Sequence, residues 1–159
     1  MKTALLAIFF MAVLSSCKMM SGNGNVKKET RNPGTFTKIH SSGTADVVIT
    51  SGSNCAVTVE DDDNLLPYLE TNVEDGTLQI HYKDGVSVTN DHAKIYVTAP
   101  TLSEVATSGT SNITVSGLLQ NPGKISLNTS GVGNIEGEVD APPVSATISV
   151  TVTVKLRGR

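Results

Sequence analysis

The chain has 159 residues, a formal net charge of −3, no tryptophan and two cysteines. That length suits a single domain. With no basic cluster except Lys155, Arg157 and Arg159 at the very end, the charge balance argues against a nucleic-acid partner.

Lys2 gives the N-terminus a positive charge, and Ala4 to Leu14 is an unbroken apolar run. It falls short of the about 20 residues a spanning helix needs and suits the apolar segment of a secretory signal. Leu14-Ser15-Ser16-Cys17 reads as a lipobox, in which an aliphatic and two small residues precede a cysteine acylated through its thiolate. Residues 1–16 are therefore expected to be a lipoprotein signal peptide, with Cys17 the lipidation site and first mature residue. The other reading is an ordinary signal peptide that happens to hold a cysteine. Fatty acyl chains such as palmitate contribute about 0.8 kcal/mol per buried CH₂, so several would hold the protein stably in the membrane. Lys18 after the cysteine points to the outer membrane, as a periplasmic or surface-exposed lipoprotein. Cys55 would then have no cysteine partner, and reads as a small buried hydrophobe at the start of a strand.

Residues 17–34 carry Ser21-Gly22-Asn23-Gly24-Asn25, then Lys27, Lys28, Glu29 and Arg31, then Pro33-Gly34. So little apolar surface predicts a flexible tether behind the lipidated cysteine, with the domain over 35–159. From Phe36 on, short runs rich in branched and aromatic residues predict strands: Val47-Val48-Ile49, Val57-Thr58-Val59, Leu78 to Tyr82 and Ile95-Tyr96-Val97. Leu78, Ile80 and Tyr82 share one face. Asp75-Gly76 signals a tight hairpin. Asp63 or Asn64 could cap a helical turn through Leu65 to Leu69.

An internal repeat organises the rest. Ser42-Gly43-Thr44-Ala45-Asp46-Val47 recurs as Ser108-Gly109-Thr110-Ser111-Asn112-Ile113 and as Ser130-Gly131-Val132-Gly133-Asn134-Ile135. Gly109 and Gly131 are 22 residues apart, and Gly43 lies three such periods before Gly109. A unit of two or three short strands cannot bury a face alone, so units must stack, as in a parallel β-helix. Ser42, Gly43, Ser108, Gly109, Ser130 and Gly131 would form the corner turns, glycine allowing a positive φ and serine fitting the bend. Asp46, Asn112 and Asn134 would fall at equivalent points and hydrogen-bond along the stack where coils are neighbours. An antiparallel sandwich with similar turns is the rival. Pro143 to Ser149 opens one more coil, which then runs into Val150 to Leu156 without a glycine corner, so the last coil is incomplete. The uncharged Val150 to Val154 predicts self-association through the C-terminal strand, or a frayed tail.

These features together resemble the head-GIN domain family of putative auto-transporter adhesins. The resemblance is carried by the lipobox, Phe36-Thr37-Lys38-Ile39, Gly43 to Val47, Val57 to Glu60, Asp63 to Leu66, Asp75 to Leu78 and the Ser-Gly repeats. It implies an all-β fold: a right-handed parallel β-helix-like solenoid of two sheets with Ser-Gly corners. It also implies an adhesive role, and carries no catalytic residue over.

Glu60-Asp61-Asp62-Asp63 offers oxygen ligands of the kind Ca²⁺ takes, but reads better as a solvated loop with a helix cap. Asp62 and His81 are both assigned to solvent. His40, His81 and His92 have no metal-ligand spacing, so no metal or other cofactor is expected. No Gly-x-Ser-x-Gly elbow occurs, and the carboxylates Asp46, Glu104 and Glu136 are scattered. The few aromatics read as core. The expectation is a lipid-anchored cell-envelope interaction module in cell adhesion, not an enzyme, with a glycan or protein as ligand. A structural envelope protein and a polysaccharide-active β-helix enzyme are the alternatives.

Overall fold

The structure, a computed structural model, describes residues 16–140 throughout and the backbone of strands 144–148 and 153–156. The expected signal peptide lies outside the described residues except for Ser16, as do residues 150–152 of the C-terminal run.

In chain order the strands are β1 (Lys18–Ser21), β2 (Val26–Arg31), β3 (Lys38–Gly43), β4 (Asp46–Ser51) and β5 (Ala56–Asp62). They continue with β6 (Leu69–Glu74), β7 (Thr77–Tyr82), β8 (Val86–Thr89), β9 (Lys94–Ala99) and β10 (Glu104–Gly109). The last are β11 (Ile113–Gln120), β12 (Ile125–Gly131), β13 (Ile135–Asp140), β14 (Val144–Ile148) and β15 (Thr153–Leu156). Among the described residues there is no α-helix; Leu66–Tyr68 form one 3-10 turn. The fold is all-β.

Alternation with period two makes these strands. In β9, Ile95, Val97 and Ala99 are buried while Lys94, Tyr96 and Thr98 look outward. One sheet has the order β14-β12-β10-β3-β7-β6, a second β15-β13-β11-β4-β9-β5-β2, and β1 pairs with β8 in a small ribbon. Ile39, Leu78, Ile80 and Leu127 of the first sheet share one core with Val47, Ile95, Ile113 and Ile135 of the second. Each such side chain stabilises the fold by about 1.5–3 kcal/mol, so this core outweighs any single surface contact.

A uniform parallel stack is not what forms. The β2–β5, β5–β9 and β6–β7 pairings are antiparallel. Two-residue connections allow only antiparallel neighbours, and Asp75 (φ 47°) and Gly76 (φ 73°) make such a hairpin between β6 and β7. Nor does the chain wind one coil at a time. Residues 56–99 build up one side of β3 and β4, through β7 and β9. The later repeats, β10 and β11, occupy the other side. Corners 43 and 109 are therefore direct neighbours although they lie 66 positions apart.

Two further expectations need correction. The segment 17–34 is not a free tether: β1 pairs with β8, and β2 pairs with β5 as the edge of the second sheet. Neither Asp63 nor Asn64 caps the 3-10 turn; Leu65 stands at its N-cap with no side-chain hydrogen bond. Both polar side chains are engaged elsewhere. As for the last coil, β14 pairs with β12 and β15 with β13, both in parallel.

Candidate functional site

The repeat places its corners side by side. Ser42, Ser108 and Ser130 align across β3, β10 and β12, and so do Gly43, Gly109 and Gly131. The three glycines have φ of 109°, 106° and 126°. A Cβ on Gly109 would lie 2.6 Å from the Gly43 carbonyl oxygen, and one on Gly131 would meet the Gly109 oxygen as closely. At Gly109 and Gly131 two demands thus converge on glycine: the left-handed backbone and the close approach of the neighbouring strand. The serines before these glycines point outward. The residues one place earlier, Ser41, Thr107 and Thr129, are the buried ones. Their hydroxyls satisfy the bend: Thr107 Oγ1 donates to the Ser111 carbonyl at 3.4 Å and Thr129 Oγ1 to the Gly133 carbonyl at 3.3 Å. Ser41 Oγ lies 3.0 Å from Ser111 Oγ, which donates in turn to the Ala45 carbonyl. The readable signal was a hydroxyl residue, Ser41, Thr107 or Thr129, before each of the three repeated Ser-Gly pairs.

The outward faces carry polar rows. Asn112 Nδ2 donates to Asp46 Oδ1 at 3.0 Å, joining coils at the equivalent positions. On the second sheet Lys28 pairs with Glu60 at 2.9 Å, and the ammonium of Lys28 also lies 5.0 Å from the Tyr96 ring centroid. The hydrogen-bonded Glu60 holds the Lys28 ammonium above its ordinary pKa. Tyr96 and Tyr68 are half-buried at the surface beneath lysines rather than in the core.

On the first sheet His40 stands between two strands. Its Nδ1 is 3.2 Å from Gln79 Oε1 and its Nε2 is 3.3 Å from Ser108 Oγ. Serine, histidine and an orienting amide therefore follow in the order a nucleophilic site uses. Asn128 Nδ2 donates to Glu104 Oε1 at 3.0 Å in the adjacent row.

The acidic run is the largest departure from the sequence reading. Asp61 and Asp62 are fully buried at the end of β5. Strand alternation continues inward from Val57 and Val59 to Asp61, which was the overlooked signal. Asp61 accepts from Tyr82 Oη at 2.6 Å and from the backbone N–H groups of Asp62 at 2.8 Å and His92 at 3.2 Å. Burial pushes its carboxyl up despite these donors, and burial likewise pushes up the Tyr82 hydroxyl. Asp62 bonds His92 Nδ1 at 2.8 Å and accepts from the Gly24 N–H. The His92 hydrogen bond holds Asp62 below the usual carboxylate range, and Asp62 raises His92 in return.

Asp63 and Asn64 complete a clasp on the N-terminal segment. Asn23 and Asn25 each donate a side-chain N–H to Asp63 at 2.7 Å, and Lys27 pairs with it at 2.9 Å. These donors, Asn23 first, lower the Asp63 pKa. Asn64 accepts from the Asn23 N–H at 3.2 Å and donates to the Ser21 carbonyl at 2.9 Å.

Cys17 is exposed immediately before β1. Cys55 packs half-buried against the core, its Sγ 3.6 Å from the Phe36 carbonyl. His81 is half-buried, its Nδ1 2.8 Å from the Tyr82 carbonyl. An open groove of about 570 Å³ runs along β2 and β6, lined among others by Arg31, Pro33, Pro67, Glu70 and Lys83. Arg31 donates there to the Leu66 carbonyl at 2.9 Å and to that of Leu69. Among the described residues no three His, Cys, Asp or Glu side chains are placed to hold a metal ion, and no helix is long and apolar enough to cross a membrane.

Solved structures share this fold. A putative lipid binding protein from Parabacteroides distasonis ATCC 8503 superposes with a TM-score of 0.68 at 23% identity, over 87% of this chain and 65% of that one. A putative adhesin from Bacteroides fragilis NCTC 9343 gives 0.67 at 18% identity, over 87% and 71%. A putative adhesin from P. distasonis gives 0.61 at 20% identity, over 89% and 69%. This chain thus spans about two thirds of the length of those chains. No curated protein matches the sequence. The family described as putative auto-transporter adhesin, head GIN domain, matches residues 35–159, and the chain belongs to that family.

Proposed function

We propose that this chain is a cell-envelope interaction module, an adhesin without catalytic activity, held at the outer membrane through an acylated Cys17. In this reading β3–β4, β10–β11, β12–β13 and β14–β15 are successive coils of a right-handed parallel β-helix. Family membership supports an adhesive role. The observation that carries the proposal is the outward face of the first sheet. There Gln79, His40, Ser108, Asn128 and Glu104 are fixed on strands in register, spaced by about 4.8 Å from strand to strand. Such a surface meets a partner with its own repeating polar groups, a glycan or a protein, at several rungs at once. Each bond contributes only about 0.5–1.5 kcal/mol net, so binding gains strength from many rungs and many copies.

The test is a glycan and matrix-protein array probed with the mature chain. Binding should fall on His40→Ala and Asn128→Ala and persist on Val132→Ala. Binding to nothing displayed, with the domain folded, would favour the structural envelope protein instead. Protease added to intact cells reports the side: removal of the domain places it outside. Self-association through the C-terminal strand should show as a larger scattering mass that Val152→Lys reduces.

A second reading, a serine hydrolase, is favoured by one observation, the Ser108–His40–Gln79 row. It has a nucleophile and a base, but the corner N–H groups that could stabilise an oxyanion are engaged between coils, Thr110 N–H on the Gly43 carbonyl and Val132 N–H on the Gly109 carbonyl. Labelling by a fluorophosphonate, abolished by Ser108→Ala, would establish this reading over the adhesive one.

A further inference from the structure

We infer that the end of the domain carrying Lys18, Met19, Tyr68 and Lys83 lies directly against the bilayer that holds the acyl chains of Cys17, with no slack between anchor and fold. The inference rests on the proposed acylation of Cys17 and adds an orientation to it.

The argument begins with chain length. β1 starts at Lys18, whose backbone N–H donates to the Gly85 carbonyl at 2.7 Å, and the strand then runs parallel to β8. One residue of extended chain spans about 3.3–3.6 Å. An acylated Cys17 therefore cannot lift the domain away from the headgroups unless β1 unzips. Beyond β1 the clasp on residues 21–27 and the β2–β5 pairing hold the next segment as well. Detaching a tether of useful length would break all of these contacts together.

The surface beside Cys17 suits a bilayer. The Lys18 ammonium lies over the Tyr68 ring, 4.6 Å from its centroid, and donates to the Tyr68 hydroxyl at 2.7 Å. Lys83 joins them through its backbone N–H, which donates to the Tyr68 carbonyl at 2.8 Å. Met19 is 76% exposed, the highest value of the three exposed large apolar side chains among the described residues. A tyrosine flanked by lysines, with an exposed methionine next in the chain, matches the composition of the membrane–water interface. Lysines near an anionic leaflet attract it, while Asp84 in the β7–β8 connection opposes them in part. Charge is thus a modest contribution, and the missing slack is the main one.

The Ser-Gly coils follow on the opposite side of β3, through β10 and β12 to β14. With strands about 4.8 Å apart they carry the corners away from the ribbon made by β1 and β8. The membrane-facing end and the end that continues the stack are thereby different ends.

The chain has no tryptophan, so a single introduced one reports its own depth. Asp84→Trp and Val132→Trp variants of the full precursor, purified from membranes, would be reconstituted into vesicles of phosphatidylethanolamine and phosphatidylglycerol containing brominated lipid. The mass of the N-terminal peptide reports acylation separately. We expect an acylated peptide, loss of most of the fluorescence at position 84 and none at 132. A flexible Gly-Ser insert between Cys17 and Lys18 should leave acylation intact and remove the quenching. An acylated peptide with equal quenching, or none, at both positions overturns the orientation while the anchor stands. An unacylated peptide overturns the anchor and the orientation with it.

Discussion

The repeated parallel strands over residues 104–140 and the clasped region formed by 18–31 with 56–99 solve the same problem by different means. In the repeated strands each rung copies its neighbour: serine lies beside serine, glycine beside glycine, and a buried hydroxyl closes each bend. In the clasped region nothing repeats. Two segments far apart in sequence meet through complementary polar groups, Asn23, the Gly24 N–H, Asn25 and Lys27 against Asp62, Asp63 and Asn64. The lesson is that repetition tolerates no side chain at the corner, while the clasp tolerates no loss of a partner.

That difference sets the order of expected effects. The largest is Gly131→Val. A β-branched residue at positive φ is strained, and its Cβ would collide with the Gly109 carbonyl. We expect a loss of about 2 kcal/mol or more, read as a fall in the urea midpoint. A midpoint unchanged from the parent would break the claim that the corners are closely stacked.

Next comes Asp62→Ala. It deprives the Gly24 N–H and His92 of their shared, buried carboxylate acceptor, for about 1–3 kcal/mol. Amide exchange over residues 21–27 should accelerate while β11 and β12 stay protected. Tyr82→Phe is smaller, about 1 kcal/mol, because Asp61 keeps two backbone donors. Lys28→Ala, on an exposed pair, should leave the midpoint unchanged.

The clasp also has a pH window. Asp62 and Asp63 are depressed by their donors, so their stabilisation is present above the unfolded value of about 3.9. It is lost as pH falls through their folded values. His92 is raised by Asp62, so its share is full below about 6.5 and fades as pH rises through its folded value. Asp61, pushed up by burial, likewise favours the lower-pH side, since its ionisation costs more folded than unfolded. Protection of the Gly24 amide, corrected for intrinsic exchange, should therefore peak between these limits and fall on both sides. A protection that kept rising with pH would contradict the His92–Asp62 pairing.

Much of the regular region was legible because its information is local. Gly43, Gly109 and Gly131 recur on a fixed spacing, and Asp75-Gly76 dictates its hairpin within two residues. The spacing did not reveal that Gly43 and Gly109 are neighbours, because coil order depends on where β5, β7 and β9 go. The clasp was hidden for a different reason. Residues 18–31 have the composition of a linker, and Asp61-Asp62-Asp63 that of a solvated loop. Each polar group loses its cost of burial only when the other segment arrives. Composition alone cannot show that pairing. The inward phase of Asp61, set by Val57 and Val59, was the one local clue.

Hydrogen exchange on residues 17–159 tests the central claim, that the N-terminal segment is part of the fold and leaves no tether behind Cys17. The account predicts that amides in Val26–Arg31 that bond to β5 exchange on the same slow timescale as those of β5 itself. Exchange of those amides at the rate of an unstructured peptide, with β5 still protected, would contradict it.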